Sequence, residues 1–169
     1  FEDSDFRQEP RLSTGVDQGR FDAPTSFRNG YTAYWQRLTL DLDSRRPRPE
    51  AQHGARLLGL VEQGLNVARP LEQRWVKVAG TFGAYADLSR FRTIGLNVYS
   101  GYVHALGTDP VPFTELLTVG TDPLLLGGFL PGFLRDTSAF VATFEYRYPI
   151  WVLLDGSFHF SVGNVFDGY

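Results

Sequence analysis

A chain of 169 residues with a net charge of −3 and no cysteine is one domain long and excludes several classes at the outset. It has no basic footprint for nucleic acid, no thiolate for a disulfide, metal site or nucleophile, and no apolar run of the roughly 18 residues that a membrane-crossing helix needs. Its 18 glycines and 25 aromatics suit strands and tight turns better than a helical core.

The chain opens on Phe1-Glu2-Asp3, with no initiator Met and no signal-like segment, and reads as a mature or excised piece. Residues 1–30 are polar and punctuated by Gly and Pro, irregular apart from a weak strand near Arg11–Gln18. Residues 31–119 are predicted as strands. Tyr31–Asp43 sets Tyr34, Gln36, Leu38, Leu40 and Leu42 against Trp35, Arg37, Thr39, Asp41 and Asp43, the period of a strand with one apolar side. Ser44–Gln52 is a turn rich in Pro and Arg, and His53–Leu65 alternates again. Arg74–Asp87, Thr93–His104 and a short Phe113–Val119 follow.

Residues 120–137 form a long connection whose leucines lie between Gly120, Gly127, Gly128 and Gly132, with Pro123 and Pro131. Apolar side chains at that density do not stay in water, so the loop is expected to fold against the strands. Residues 138–166 read as a hairpin, Ser138–Tyr148 and Leu153–Asn164, with a corner at Pro149-Ile150-Trp151. The expectation is all-β: an antiparallel meander of about eight strands with hairpin connections. Several strands reach the 9–11 residues that cross a bilayer at a tilt. Tyr31, Tyr34, Trp75, Tyr102, Tyr148 and Trp151 sit near strand ends, where an interfacial girdle falls. A soluble sandwich shows the same alternation with its apolar faces turned inward.

Chemistry-bearing residues are sparse. Asp41 and Asp43 share a strand face, but no histidine or further acid stands at ligand spacing, so they read as a polar wall with Asp43 near Arg45. Glu145 and Arg147 share a face as a contact to the loop or an ordinary ion pair. His53, His104 and His159 are scattered. There is no G-x-S-x-G, phosphate-binding loop or dinucleotide fingerprint, so neither an enzyme nor a cofactor is expected. Arg45, Arg46 and Arg48 make a basic turn that fits lipid headgroups, a periplasmic partner or plain solvent.

The order of short motifs resembles the BamA/TamA superfamily of bacterial outer-membrane barrels, also called the bacterial surface antigen family, over residues 32–168. Asp43-Ser44-Arg45 ends a long strand ahead of a Pro-containing turn and Gly54. The Gly-rich loop follows, then Glu145-Tyr146-Arg147-Tyr148-Pro149, then Phe160-Ser161-Val162-Gly163-Asn164-Val165-Phe166. The family has an arginine before the loop's Gly-Phe, where this chain has Gly127 before Gly128-Phe129. It has an acid where this chain has Ser161. Losing one partner alone would strand a charge; losing both is self-consistent. The loop is therefore expected to be held by packing of Leu124–Leu126, Phe129 and Phe133, with Arg135 as a substitute cation for Glu145 or Asp136.

The resemblance implies a transmembrane barrel, part of a larger one or an eight-stranded barrel closed on itself, with one lumen-directed loop. The loop motif maps to Gly127, Gly128, Phe129, Gly132, Arg135 and Asp136, and the lumen wall to Asp43, Arg45, Glu145, Arg147, Ser161 and Gly163. It implies a place in the bacterial outer membrane and a role in assembling outer-membrane proteins or translocating polypeptides. The partners implied are outer-membrane lipid, unfolded clients or a secreted passenger, and periplasmic or lipoprotein partners. Two other classes fit the residues: a passive pore or anchor for a passenger domain, and a soluble β-sandwich binding domain.

Overall fold

The computed structural model describes residues 25–26, 30–46, 53–88, 91–120, 126–127, 129, 132–151 and 153–168. The chain is all-β and antiparallel. Its main sheet has six strands: β1 (Ala33–Asp43), β2 (Gly54–Asn66), β3 (Arg74–Asp87), β4 (Thr93–Ala105), β7 (Ser138–Trp151) and β8 (Leu154–Phe166). Strand neighbours in space are neighbours in the chain, except that an excursion is inserted between β4 and β7. The excursion carries one 3-10 turn, Phe113–Glu115, and a small separate hairpin of β5 (Leu117–Val119) and β6 (Leu134–Asp136).

Three expectations change here. Phe113–Val119 is not a wall strand: after the 3-10 turn, only three residues extend, and they pair with β6 away from the main sheet. The inserted segment therefore begins at Leu106 rather than at Gly120, and among the described residues the wall has six strands rather than about eight. Pro149–Trp151 is not a corner, because β7 runs on through Trp151 with a register irregularity at the proline. Proline lacks a ladder donor, and a strand tolerates it at such an irregularity. The weak strand near Arg11–Gln18 lies outside the described residues.

The sheet is open. Among the described residues β1 pairs with β2 alone and β8 with β7 alone. Its two faces differ in character. The core lies on the face carrying Trp75, Val103, Ala139 and Val141, and the excursion covers it with Val111, Leu117, Val119 and Leu126. The other face leaves large apolar side chains exposed on all six strands, among them Leu38, Val61, Phe82, Leu96, Phe144 and Phe160. Trp75 belongs to the covered face rather than to a girdle. Period two places it in phase with Lys77, and it packs across Gly64, where a Cβ would stand 2.4 Å from the indole. Tyr31 also turns inward, edge-on to Trp75 at 6.2 Å. Tyr34, Tyr102 and Tyr148 remain exposed on the other face.

Candidate functional site

The covered face is the candidate site. Strand register brings Arg37, Glu62, Lys77 and Val103 into one row across β1 to β4. Glu62 is almost fully buried. It accepts a hydrogen bond from Arg37 Nε at 2.8 Å and lies 3.3 Å from Lys77 Nζ. Lys77 in turn lies 3.5 Å from Glu115, on the 3-10 turn of the excursion. Tyr31 donates to Glu115 at 2.8 Å, and its hydroxyl also meets that of Thr114. Burial lifts the Tyr31 phenol above its ordinary range; the Thr114 bond acts the other way and Glu115 adds to the rise. The phenol therefore stays a donor. The result is one continuous chain of alternating charge from strand β1 through the wall to the inserted loop.

A second polar cluster lies toward the other end of the strands, which carries the turns β1–β2, β3–β4 and β7–β8. Asp43 receives a fork of two bonds from Arg45 at 2.9 Å each, and Asp41 receives one from Arg56 at 2.9 and 2.7 Å. Arg45 and Arg147 both sit over the ring of Tyr85, at 5.9 and 5.6 Å. The Tyr85 hydroxyl donates to Asn97 at 3.1 Å. The ring lies flat because Gly95 is its cross-strand partner, where a Cβ would come within 2.7 Å of it. Arg147 Nε is 2.8 Å from Glu145 Oε1, and His159 Nε2 is 3.9 Å from the same oxygen. Thr143 and Ser161 share a hydrogen bond of 2.9 Å across the β7–β8 pair.

The sequence-derived wall residues thus fall into two groups. Asp43, Arg45, Glu145 and Arg147 share this end of the covered face, with the two arginines joined through Tyr85. Ser161 lies farther along the same face beside Thr143, and Gly163 beyond it beside Val141. The loop residues do not converge on them. Gly127 is exposed, Gly128 lies outside the described residues, and Gly132 takes a positive φ of 76° in a turn. Asp136 accepts a bond from the Thr137 amide at 2.7 Å. Arg135 does not reach Glu145 or Asp136. It donates to the Phe113 carbonyl at 2.8 Å and lies over that residue's ring at 5.4 Å, so it braces the excursion internally. Of the side chains expected to hold the loop, Leu126 is buried in the core. Phe129 and Phe133 stack on each other at 6.3 Å and are exposed, and Leu124 and Leu125 lie outside the described residues.

Sequence reasoning missed Glu62, Lys77, Glu115 and Tyr31. Their signal was present: Glu62 follows Val61, and Lys77 stands between Val76 and Val78, so each points away from an apolar face. What joins them is strand register and the path of the excursion, and neither follows from alternation alone. Chemically the face offers charge pairs, hydroxyls and packing. Comparison with family models, with curated proteins and with solved structures returns no match.

Proposed function

We propose that this chain is a wall segment of a bacterial outer-membrane β-barrel of the BamA/TamA kind, acting in the assembly of outer-membrane proteins or the translocation of polypeptides. The observation that carries the membrane reading is the shape of the exposed apolar area. On β1 the exposed run is Leu38, Leu40 and Leu42, centred on Leu40. The cross-strand row through Leu40 passes Gly59, Gly80, Ser100 and Phe140 and ends at Asn164 on β8. On β8, however, the apolar run is Leu154 to Val162, centred on Phe158, six positions from Asn164. On β2 and β3 the exposed pairs Leu57 with Val61 and Val78 with Phe82 still centre on that row, at Gly59 and Gly80; the centre then leaves it, to Val98 on β4 and to Phe144–Tyr146 on β7.

The apolar band therefore crosses the strands diagonally. Averaged from edge to edge, six residues at about 3.4 Å each over five strand gaps of about 4.8 Å give a tilt of about 40°. Strands of transmembrane barrels tilt by about 35–45° against a level hydrocarbon slab, so a slab draws this diagonal on the sheet. In lipid, β1 and β8 each need a further strand beside them, because an unpaired edge there leaves backbone groups unsatisfied. The connections β1–β2, β3–β4 and β7–β8 share one end; the turn β2–β3 and the long excursion share the other. Barrels of this kind have short periplasmic turns and longer extracellular loops.

The client-handling role rests on the motif order Asp43-Ser44-Arg45, Glu145-Tyr146-Arg147-Tyr148-Pro149 and Phe160 to Phe166. Its mechanism would be physical: a wall and seam that lower the cost of bringing a client strand's unpaired backbone into the bilayer. Gly127 and Ser161, in place of the charged pair, favour a second reading, a passive pore or anchor. The test is depletion of the protein from cells, with assembly of other outer-membrane barrels followed by heat-modifiable gel mobility. Client assembly should fall. Unchanged assembly with steady ion conductance in planar bilayers selects the pore or anchor. Recovery of the protein in the soluble fraction without detergent overturns the membrane reading itself.

A further inference from the structure

Beyond the turn β3–β4, the hairpin β7–β8 continues alone. The last residue of β7 paired with β4 is Arg147, opposite Thr93, and β7 runs four residues farther to Trp151. From Tyr148 to Leu154 the sequence holds no charge, between Arg147 and Asp155. Ile150, Trp151, Leu153 and Leu154 are exposed, Leu153 to 90%. In the turn β3–β4, Phe91 is 75% exposed and takes a positive φ of 62°, a conformation that a bulky residue rarely adopts. The hairpin tip is an apolar spur, and Phe91 adds an apolar side chain on the turn that leads into the neighbouring strand β4. In water it would be an exposed patch without a partner.

We infer that this spur is a phospholipid contact: the β7–β8 tip and Phe91 seat in the interfacial zone of the bilayer and fix the depth of the wall at that end. The inference rests on the transmembrane reading and adds to it a particular position in the bilayer. The occupant follows from continuity. On β8 the lipid-facing run ends at Leu154, which pairs with Trp151 at the end of β7, so Leu153 is the next residue out. A Trp with leucine neighbours suits the boundary between headgroups and acyl chains, where an amphipathic ring has both an apolar and a polar side to satisfy. The diagonal band accounts for this overhang. With strands tilted, the hydrocarbon boundary reaches the β1–β2 turn nearer Asp43 and the β7–β8 turn several residues later.

The chain has no cysteine, so single-site spin labels report without interference. Leu153→Cys and Phe91→Cys, labelled in phosphatidylcholine vesicles, are compared with Phe160→Cys by accessibility to oxygen and to a water-soluble nickel chelate. Labels at 153 and 91 should read within about 5–10 Å of the headgroup boundary, and the label at 160 deep in hydrocarbon. A label at 153 as open to nickel as one in water overturns the inference, as does one shielded from both reagents, which would mean a protein cover. A label at 160 outside hydrocarbon sinks the transmembrane reading, and the inference with it.

Discussion

Lys77 holds two carboxylates that would otherwise face a confined polar wall. Glu62 is nearly inaccessible, and its side chain keeps Arg37 if Lys77 is lost; Glu115 keeps only the Tyr31 hydrogen bond among the described residues. Lys77→Met should therefore weaken the seating of the 3-10 turn as well as the wall. In a double-mutant cycle with Glu115→Gln, unfolding in urea should show a coupling of about 0.5–3 kcal/mol. Arg135→Ala with Glu145→Ala should instead add within about 0.5 kcal/mol, because the two have separate partners. A coupled second pair and an uncoupled first would reverse this assignment of the loop's anchor. Gly163 makes a different point at the same scale. A Cβ there would stand 2.5 Å from the Phe140 carbonyl and 2.9 Å from Val141 Cα, both backbone atoms that cannot swing away. Gly163→Ala should cost about 1–3 kcal/mol by forcing β8 outward. An unchanged urea midpoint would show that the pair already has slack. The sequence marks this glycine through a motif, but only the register beside Val141 shows what fills the space.

The six long strands are legible because each runs for eleven residues or more, so that alternation outweighs exceptions such as Gly80 or Pro149, although in β2 the run Leu57 to Val61 leaves the two faces less distinct. The excursion is not legible in the same way. Phe113-Thr114-Glu115 alternates like a strand yet forms a turn, and β5 and β6 are three residues each, too short for periodicity to register. The apolar leucines of residues 120–137 did indicate a segment folded against the wall. Leu126 is one anchor within them, but two others lie earlier, Leu117 and Val119, buried in the same core as Ala139 and Val141. Phe133, the more prominent side chain in sequence, is 71% exposed. Val119→Asp places a charge in that core and should release the excursion, so limited proteolysis should cut within residues 106–137 while the strands stay protected. Phe133→Asp should leave the digestion pattern unchanged. Cutting in the second variant and not the first would mean that the stacked phenylalanines hold the loop.

At the scale of the whole sheet, two residues of one hydrogen-bonded row need not share an environment. Leu40 and Asn164 lie on the same face at opposite ends of one row of six. In a soluble sandwich of aligned strands, both would face a partner sheet at similar depth. In a bilayer crossed at about 40°, Leu40 stands at the middle of the hydrocarbon, and Asn164 has risen about six residues along its strand toward the headgroups. The sequence already hints at this, since Asn164 is polar on a face that is otherwise apolar from Leu154 to Val162. Alternation alone could not reveal it, because depth depends on the register of all six strands together. Leu40→Arg should cost about 2–4 kcal/mol of folding stability in vesicles, the penalty for a cation at the bilayer midplane. Asn164→Arg should cost about 0–1 kcal/mol, the value near the interface. Equal penalties at the two ends of the row would mean that the band runs level with the strands' hydrogen bonds, and the diagonal would then have no membrane behind it.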